Sequence, residues 1–276
     1  MSKPAPPGIR LVVSDVDGTL VDGKKQLRPA IVAAVGRLRA AGIGFTIISA
    51  RPRSGMMPIA DALELDVPMG AFNGGIIFRR DGTVLAHACI DPLVVKGVFE
   101  LAQGAAVDRW LFAEDRWYAT SDQGVHVAHE RISSNSAPVL TDDFSPLYDR
   151  ADKVTFVSDE PEVLADLLAR AQGHFGERAT IAQSQSYYLD VTATAANKGD
   201  GVTALAHAFD VPLDSVAAFG DQHNDLPMFA RAAWSAAMGQ GPEDVRSKAD
   251  FVSASNDADG VAVAIERLLT DRGDAS

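Results

Sequence analysis

Short β-rich apolar runs alternate with amphipathic helical segments near the start of the chain. Residues 9–15 (IRLVVSD), 43–49 (IGFTIIS) and 67–72 (VPMGAF) have the β-branched and aromatic composition of buried strands. Between them, residues 29–41 and 53–64 carry apolar side chains at helical spacing, and a proline opens the first of these segments. This β-α-β-α-β order predicts a parallel sheet with helices on its faces.

The pattern changes after Phe72. Residues 76–88 predict a β-hairpin that turns at Asp81-Gly82, and a mixed run of helices and strands follows. The alternation resumes at Asn197 and continues through the rest of the chain. The simplest topology is a doubly wound, mostly parallel α/β core built from both ends of the chain, with a smaller α/β cap domain inserted. The predicted boundaries are core 1–83, cap 84–188 and core 189–276.

The composition is that of a globular enzyme and argues against nucleic acid as a partner. The 276 residues are 47% hydrophobic and 22% charged, which suits one large domain or two modest ones. The formal net charge is -12, and the sequence lacks the clustered lysine and arginine that a phosphate backbone requires. An acidic protein usually holds an anionic substrate through a bound cation or local backbone donors.

Cys89 is the only cysteine. It cannot form an intramolecular disulfide, and the sequence shows no Cys/His metal set around it, so we expect a small buried hydrophobe in a reducing compartment. The opening MSKPAPPGIR has prolines where a signal peptide needs an apolar segment, and no run is long and apolar enough to span a bilayer. These features predict a cytoplasmic protein without a membrane partner.

Two carboxylates follow the first predicted strand, one residue apart, in the run LVVSDVDGTL. Residues two apart in an extended segment point to the same side, so Asp15 and Asp17 can address one small volume. Loops beyond the carboxyl ends of neighbouring parallel strands converge, which brings Asp221 and Asp225 to the same edge. Crowded carboxylates repel one another, and a divalent cation resolves the conflict. All-oxygen ligands with room for water favour Mg²⁺ held by these four aspartates.

Four chemical roles fit the polar residues at these strand ends. Asp15 is placed to act as a covalent nucleophile, and Asp17 to protonate the leaving alkoxide and later deprotonate the hydrolytic water. Ser49 and Lys198 would hold the transferring phosphoryl oxygens, and Asp221 would hold the cation. The remaining candidates for contact with phosphate or substrate are Gly18, Asn73, Asn224 and Arg51.

Some of these candidates carry particular expectations. Gly18 would let the backbone approach the phosphate closely and leave the strand through an unusual φ. Arg51 either contacts the substrate or pins its own loop, and both alternatives stay open. Asn224 is an alternative to Asp225 as the residue that assists at the cation. His223, which lies between metal-site residues, is expected to face solvent.

Four segments resemble, in order and separation, the four motifs of the haloacid dehalogenase superfamily of phosphatases. They are DVDGTL at 15–20, IISAR with Ser49, NKG with Lys198, and GDQHNDLPMF at 220–229. Residues 235–268 resemble the C-terminal part of the Cof-like branch, whose members carry a large α/β (type IIB) cap between motifs two and three. The cap of this chain matches that branch in position and size.

This resemblance implies a Mg²⁺-dependent phosphomonoesterase that forms a phospho-aspartate. It makes Asp15 the nucleophile and a metal ligand, and Asp17 an acid/base whose backbone carbonyl also binds the metal. It implies that Ser49 and Lys198 bind phosphate. The metal-binding GDxxND motif of the family corresponds to Asp221, Asn224 and Asp225.

The favoured function is hydrolysis of small phosphorylated metabolites, such as sugar phosphates, with the inserted domain closing over the site. Two alternatives stay open. A phosphomutase would use the same phospho-aspartate chemistry, and a metabolite-binding homologue would keep the fold without turnover. Ala50 stands where the family usually has glycine, and the turn after the third strand is Asn73-Gly74-Gly75. These departures concern the fit of the substrate and leave the chemistry unchanged.

Overall fold

Two compact units share the chain, and the second is inserted into the first. The computed structural model describes residues 3–273. The first unit comprises the described residues up to Ala50, then Met57–Ala86, and then the chain from Asn197 onward. The second unit comprises Arg51–Met56 and His87–Ala196. The inserted domain that the sequence predicts therefore corresponds to a separate unit, whose boundaries differ from 84 and 188.

The N-terminal segment forms the predicted alternation of strands and helices. Its elements are β1 (Leu11–Ser14), α1 (Pro29–Ala40), β2 (Gly44–Ile47), α2 (Arg53–Ala62), β3 (Met69–Ala71), β4 (Ile76–Phe78) and β5 (Val84–His87). Helix α1 begins at Pro29, as predicted, because the fixed φ of proline suits the first helical position.

The inserted unit contains a mainly antiparallel sheet and three helices of its own. Its elements are α3 (Pro92–Leu101), β6 (Asp108–Ala113), β7 (Arg116–Ala119), α4 (Val127–Ser134), β8 (Val139–Leu140), β9 (Ala151–Val157), α5 (Pro161–Phe175), β10 (Ala179–Gln185) and β11 (Tyr188–Ala193). The strand order is β10-β11-β9-β6-β7-β8. Strand β11 pairs with β9 and β10, so the second unit runs past the predicted boundary at 188. Helix α4 and strand β8 were not predicted from the sequence.

The C-terminal segment returns to the first unit. Its elements are α6 (Lys198–Ala208), β12 (Val216–Gly220), α7 (Leu226–Phe229), β13 (Trp234–Ala237), α8 (Glu243–Arg246), β14 (Phe251–Val252) and α9 (Gly260–Gly273). None of the helices between residues 3 and 273 is both long enough and apolar enough to cross a membrane.

A five-stranded parallel sheet forms the centre of the first unit, in the order β14-β13-β12-β1-β2. Strand β1 lies between β12 and β2, and its residues are all buried. Leu11 and Val13 of β1 pack with Val202 and Leu205 of α6 in a common hydrophobic core. This arrangement confirms the predicted α/β class. It also places the carboxyl ends of β1 and β12 side by side.

The third predicted strand, β3, was expected to join the parallel sheet, but its main partner is β4. Strand β3 pairs antiparallel with β4 in a small sheet of order β3-β4-β5. Its residue Gly70 forms one parallel bridge with Ile48, the residue that follows β2. The short segment after β2 therefore still lies beside β3, and the Ser49 amide donates to the Gly70 carbonyl at 2.9 Å.

Candidate active site

Three buried carboxylates meet beyond the carboxyl ends of β1 and β12. Asp15 follows the last residue of β1, and Asp221 follows the last residue of β12. Asp225 ends a single 3₁₀ turn over His223–Asp225. One oxygen from each carboxylate lies within 4.8 Å of the other two, and all three residues are buried. The structure thus brings together three of the four predicted metal-site aspartates.

Lys198 lies between two of these carboxylates. Its ammonium nitrogen lies 2.7 Å from Asp15 Oδ1 and 2.5 Å from Asp225 Oδ1, and its side chain is only 1% exposed. Lys198 is the first residue of α6, and Asn197 caps that helix by accepting a hydrogen bond from the Asp200 amide at 2.9 Å. A capped helix start therefore fixes the lysine backbone next to the carboxylates.

Burial or close charges raise the pKa values of three residues in this group. Burial raises the pKa of Asp15 well above its ordinary value, and Asp225 and Asp221 add repulsion that the nearby Lys198 ammonium opposes. Burial and repulsion from Asp225 raise the pKa of Asp221 as well. Burial lowers the pKa of Lys198, but attraction to Asp15 and Asp225 outweighs it and the pKa is raised overall. The two aspartate shifts reflect charges removed from water among like charges, and the lysine shift reflects attraction to opposite charges.

Asp225 is held by donors from its own loop as well as by Lys198. Its Oδ2 accepts hydrogen bonds from the backbone amides of Asp221 at 2.7 Å and Gln222 at 2.8 Å. Its Oδ1 faces Lys198. Three donors thus occupy this carboxylate, so Asp225 is better suited to positioning Lys198 and the loop than to direct metal ligation.

Asp221 lies against two further loops, one that contains Gly18 and Thr19 and another that contains Gln240. Gly18 has a φ of +76°, and a methyl group at this position would collide with the Asp221 carboxylate. Thr19 Oγ1 donates to Asp221 Oδ1 at 3.0 Å. Gln240 Nε2 donates to the Gly18 carbonyl at 2.6 Å and lies 3.4 Å from Asp221 Oδ2. The predicted need for glycine at this position therefore has a clear structural cause.

Gln240 is a residue that the sequence did not single out. The run Gly239-Gln240-Gly241 is typical of a turn, and the contact with Gly18 appears only once the strands are assembled. The one available signal was position, because Gln240 follows β13 at the same edge of the sheet as Asp15 and Asp221.

Asp17 does not join the three carboxylates, contrary to the expectation that it shares their volume. Its Oδ1 lies 2.6 Å from the ammonium nitrogen of Lys25, and both side chains are about one-third exposed. The reason is local geometry. Strand β1 ends at Ser14, and the amides of Leu20 and Val21 both donate to the Val16 carbonyl. The chain is turning at Asp17, so the alternation of an extended segment does not apply there.

Ser49, Asn73 and Asn224 are linked in the first unit. Ser49 is buried, and its carbonyl accepts a hydrogen bond from the Asn73 amide at 2.7 Å. Asn73 adopts a left-handed backbone with φ +57°, and its Oδ1 accepts from Asn224 Nδ2 at 3.4 Å. These contacts tie the loop after β2 to the loop after β12.

Arg51 and His223 contact groups other than the three buried carboxylates. Arg51 groups with the second unit, and its guanidinium donates to the Gly55 carbonyl at 3.0 Å. This contact favours the expectation that Arg51 pins its own loop. His223 is exposed and pairs with the Asp244 carboxylate at 2.6 Å, in agreement with the expectation that it faces solvent.

The donor set fits a hard divalent cation. With every carboxyl ionised, three buried carboxylates and one ammonium carry a formal excess of two negative charges in a volume that Asp15, Asp221 and Asp225 line. All ligand atoms are oxygens, which is the preference of Mg²⁺. Asp15 and Asp221 would hold the ion, because Asp225 is occupied by Lys198 and two amides.

Residues 12–265 match the model of the haloacid dehalogenase-like hydrolase family, and the chain therefore belongs to that family. A putative phosphatase of Haemophilus influenzae is 28% identical over 261 residues, covering 93% of this chain and 97% of that protein. Pyridoxal phosphate phosphatase YbhA of Escherichia coli is 26% identical over 268 residues, covering 92% and 96%.

The fold agrees with this assignment. The crystal structure of a haloacid dehalogenase-like hydrolase from Bacteroides thetaiotaomicron superimposes with a TM-score of 0.85 at 26% identity, covering 94% of this chain and 99% of that one. The predicted Cof-like phosphatase of the haloacid dehalogenase superfamily is thereby confirmed, and with it the enzyme class, a phosphoric monoester hydrolase.

Proposed function

We propose that this phosphatase hydrolyses small phosphorylated metabolites, such as sugar phosphates, in a Mg²⁺-dependent reaction that passes through a phospho-aspartate on Asp15. The observation that carries the proposal is the buried group of three carboxylates, Asp15, Asp221 and Asp225, with a single ammonium, that of Lys198. Such a group is costly to bury unless it binds a cation and an anionic substrate in turn. A relative that acts on pyridoxal phosphate supports the substrate class.

Asp15 is the proposed nucleophile. Lys198 holds its Oδ1 at 2.7 Å, so Oδ2 is the oxygen that attacks phosphorus. The bond from Oδ2 to phosphorus forms as the bond from phosphorus to the ester oxygen breaks. Bound Mg²⁺ would neutralise charge on the phosphoryl oxygens, with Asp15, Asp221 and the Asp17 carbonyl as its proposed protein ligands. Asp225 keeps Lys198 in place.

Asp17 is the proposed acid and base. It gives its proton to the departing alkoxide, which leaves as an alcohol. As a carboxylate it then takes a proton from water, and the water oxygen attacks phosphorus while the Asp15–phosphorus bond breaks. Inorganic phosphate leaves, and both aspartates return to their starting forms. Asp17 pairs with Lys25 on a turning, partly exposed segment, so the proposed role requires its side chain to rotate away from Lys25 toward the substrate.

The remaining candidates would hold and orient the substrate. Ser49 and Lys198 would bind the phosphoryl oxygens, as a hydroxyl donor and a point charge. Gly18 would admit the phosphate close to the backbone. Asn73 and Asn224, which contact each other, would line the edge of the same site.

The test is phosphate release from a panel of phosphorylated metabolites, including sugar phosphates and pyridoxal 5′-phosphate, with Mg²⁺ and after chelation. We expect release that requires the metal and is lost in Asp15→Asn. Full activity after chelation, or full activity of Asp15→Asn, would overturn the proposal. An isomeric sugar phosphate that accumulates in place of free phosphate would indicate the phosphomutase, and tight binding without turnover would indicate the non-catalytic alternative.

A further inference from the structure

Three metal-ligating side chains of different types meet in the second unit, apart from the carboxylates at Asp15. They are His87, Cys89 and Asp152, and one ligand atom from each lies within 4.8 Å of the other two. His87 Nε2 lies 2.5 Å from Asp152 Oδ1 and 3.4 Å from Cys89 Sγ. The sequence-based expectation that Cys89 is a buried hydrophobe without metal-binding partners was therefore wrong.

Two local features bring these side chains together. His87 ends β5 and Cys89 follows two positions later, so in an extended segment both side chains lie on one side. The amide of Ile90 donates to the carbonyl of Ala151 at 2.8 Å, which pairs the segment around Cys89 with the first residues of β9. Asp152, the second residue of β9, is thereby placed beside a histidine and a cysteine from a distant part of the sequence.

Burial and charge favour a cation at this cluster. The Asp152 side chain is only 2% exposed, whereas that of His87 is 38% exposed. The carboxylate is therefore buried, and solvent reaches the cluster at the histidine. Cys89 is half-buried. The carboxylates of Asp115 and Asp149 add to the negative potential around the three side chains, and Arg53 opposes it.

The donor set selects a borderline transition metal over Mg²⁺. Imidazole, thiolate and carboxylate together suit Zn²⁺, while Mg²⁺ takes oxygen ligands. With metal–ligand bonds of about 2.0–2.3 Å, a tetrahedral site separates its ligand atoms by about 3.3–3.8 Å. The Cys89–His87 separation of 3.4 Å already meets this requirement. The His87–Asp152 pair at 2.5 Å would open by about 0.8 Å to admit the ion.

We propose that His87, Cys89 and Asp152 form a second metal site, which takes Zn²⁺ or a similar borderline divalent ion through Nε2, Sγ and Oδ1, with water in the fourth position. On binding, the Cys89 thiol gives up its proton to solvent and the sulfur bonds to the metal as a thiolate. The ion would tie the segment that enters the second unit to the start of β9. This metal site takes no part in the proposed phosphatase reaction. Each of the two proposals can therefore be wrong without affecting the other.

Co²⁺ offers a direct test on the protein in the presence of excess Mg²⁺. Because Cys89 is the only cysteine, a thiolate-to-cobalt charge-transfer band can arise only from this site. We expect one equivalent of Co²⁺ to produce the band, Zn²⁺ to displace it, and Cys89→Ser to abolish it. His87→Gln and Asp152→Asn should each weaken Zn²⁺ binding by about 100-fold, measured by calorimetry. Zn²⁺ should also raise the melting temperature of the wild type and leave that of Cys89→Ser unchanged.

His126→Gln is the matched control. His126 pairs with Asp159 at 2.6 Å in the same unit and belongs to neither cluster of three metal-ligating side chains found within residues 3–273, so its loss should leave the cobalt band and the Zn²⁺ affinity unchanged. Absence of the band in the folded wild type would overturn the proposal. A band that persists in both His87→Gln and Asp152→Asn would also overturn it, since the thiol alone would then bind the metal. Asp15→Asn should keep the band even if the proposed phosphatase mechanism fails.

Discussion

The ammonium nitrogen of Lys198 lies 2.5 Å from Oδ1 of Asp225, and the two side chains are 1% and 0% exposed. This pair is part of a buried charge group with Asp15 and Asp221, in which lysine supplies the only positive charge among the four side chains. A buried ion pair is a weak source of stability by itself, but removing one partner leaves an uncompensated charge in a medium of low polarity. Under the proposed function, this group would link stability to metal binding and catalysis.

Replacing Lys198 by methionine should destabilise the protein strongly. The substitution removes the counter-charge of Asp15 and Asp225, and we expect the free energy of unfolding to fall by about 3–5 kcal/mol. Urea denaturation of the metal-free protein measures this change. Lys96→Met is a matched control, because Lys96 forms an exposed pair with Glu100 and its loss should change stability little. Equal effects of the two substitutions would contradict the account.

Replacing Asp221 by asparagine should stabilise the metal-free protein while it abolishes Mg²⁺ binding. Burial and Asp225 raise the pKa of Asp221 above its ordinary value of 3.8, so the folded state holds this proton more tightly than the unfolded state. The free energy of unfolding therefore falls as the pH rises from the unfolded-state pKa of Asp221 to its higher folded-state pKa. Above the folded-state pKa, the ionised carboxylate destabilises the folded protein by the full amount. Asp221→Asn removes that cost.

We expect a gain of about 0.5–2 kcal/mol for Asp221→Asn at pH 7 without metal. The wild type should gain stability on addition of Mg²⁺, whereas the variant should not. Thermal unfolding with and without Mg²⁺ checks both parts. A variant that is less stable than the wild type without metal would show that the buried carboxylates do not repel one another as described.

Gly18→Ala should impair metal binding and phosphatase activity through contact with Asp221. Both Gly18 and Gly82 have positive φ, at +76° and +89°, so alanine at either position costs about 1–2 kcal/mol in backbone strain. Only at Gly18 would the added methyl group meet the Asp221 carboxylate, since nothing lies within 4 Å of that position at Gly82. Mg²⁺ titration should therefore show weaker binding for Gly18→Ala and unchanged binding for Gly82→Ala.

Mg²⁺ affinity should weaken as pH falls. The pKa values of Asp15 and Asp221 are both raised, first of all by burial, so protons compete with the ion for these oxygens more strongly than at an exposed carboxylate. Calorimetry in two buffers with different ionisation enthalpies should detect protons released on binding, in increasing number at lower pH. An affinity that does not change with pH would show that Mg²⁺ does not bind to these carboxylates.

The sequence predicted the parts of the molecule that follow from strand order. Asp15 and Asp221 each come directly after an apolar run, and adjacent parallel strands must end at the same edge, so their proximity could be anticipated. The need for glycine at position 18 could be anticipated from the unusual φ with which the chain leaves the strand, but its contact with Asp221 could not. Lys198 was predicted from the NKG motif, and the structure shows that this motif begins helix α6 with Lys198 as its first residue.

Contacts of loop residues and contacts between distant segments could not be predicted from the sequence. Asp17 turns toward Lys25 because β1 ends earlier than its apolar pattern suggests. Gln240 reaches Gly18 from a glycine-rich turn that has no periodic signal. Cys89 meets Asp152 only because a backbone hydrogen bond pairs two segments far apart in the chain. The Asp17 contact depends on where β1 ends, and the other two depend on how distant segments are placed side by side, which residue types alone do not encode.

The most direct measurement for the central claim is the mass of the acid-quenched enzyme after mixing with Mg²⁺ and a phosphate ester that has a good leaving group. The wild type should carry one phosphoryl group on the peptide that contains Asp15, and Asp17→Asn should accumulate more of it, because its second step lacks the base. Asp15→Asn should carry none and release no phosphate. Rapid phosphate release with no adduct in Asp17→Asn, or an adduct on any residue other than Asp15, would contradict the account.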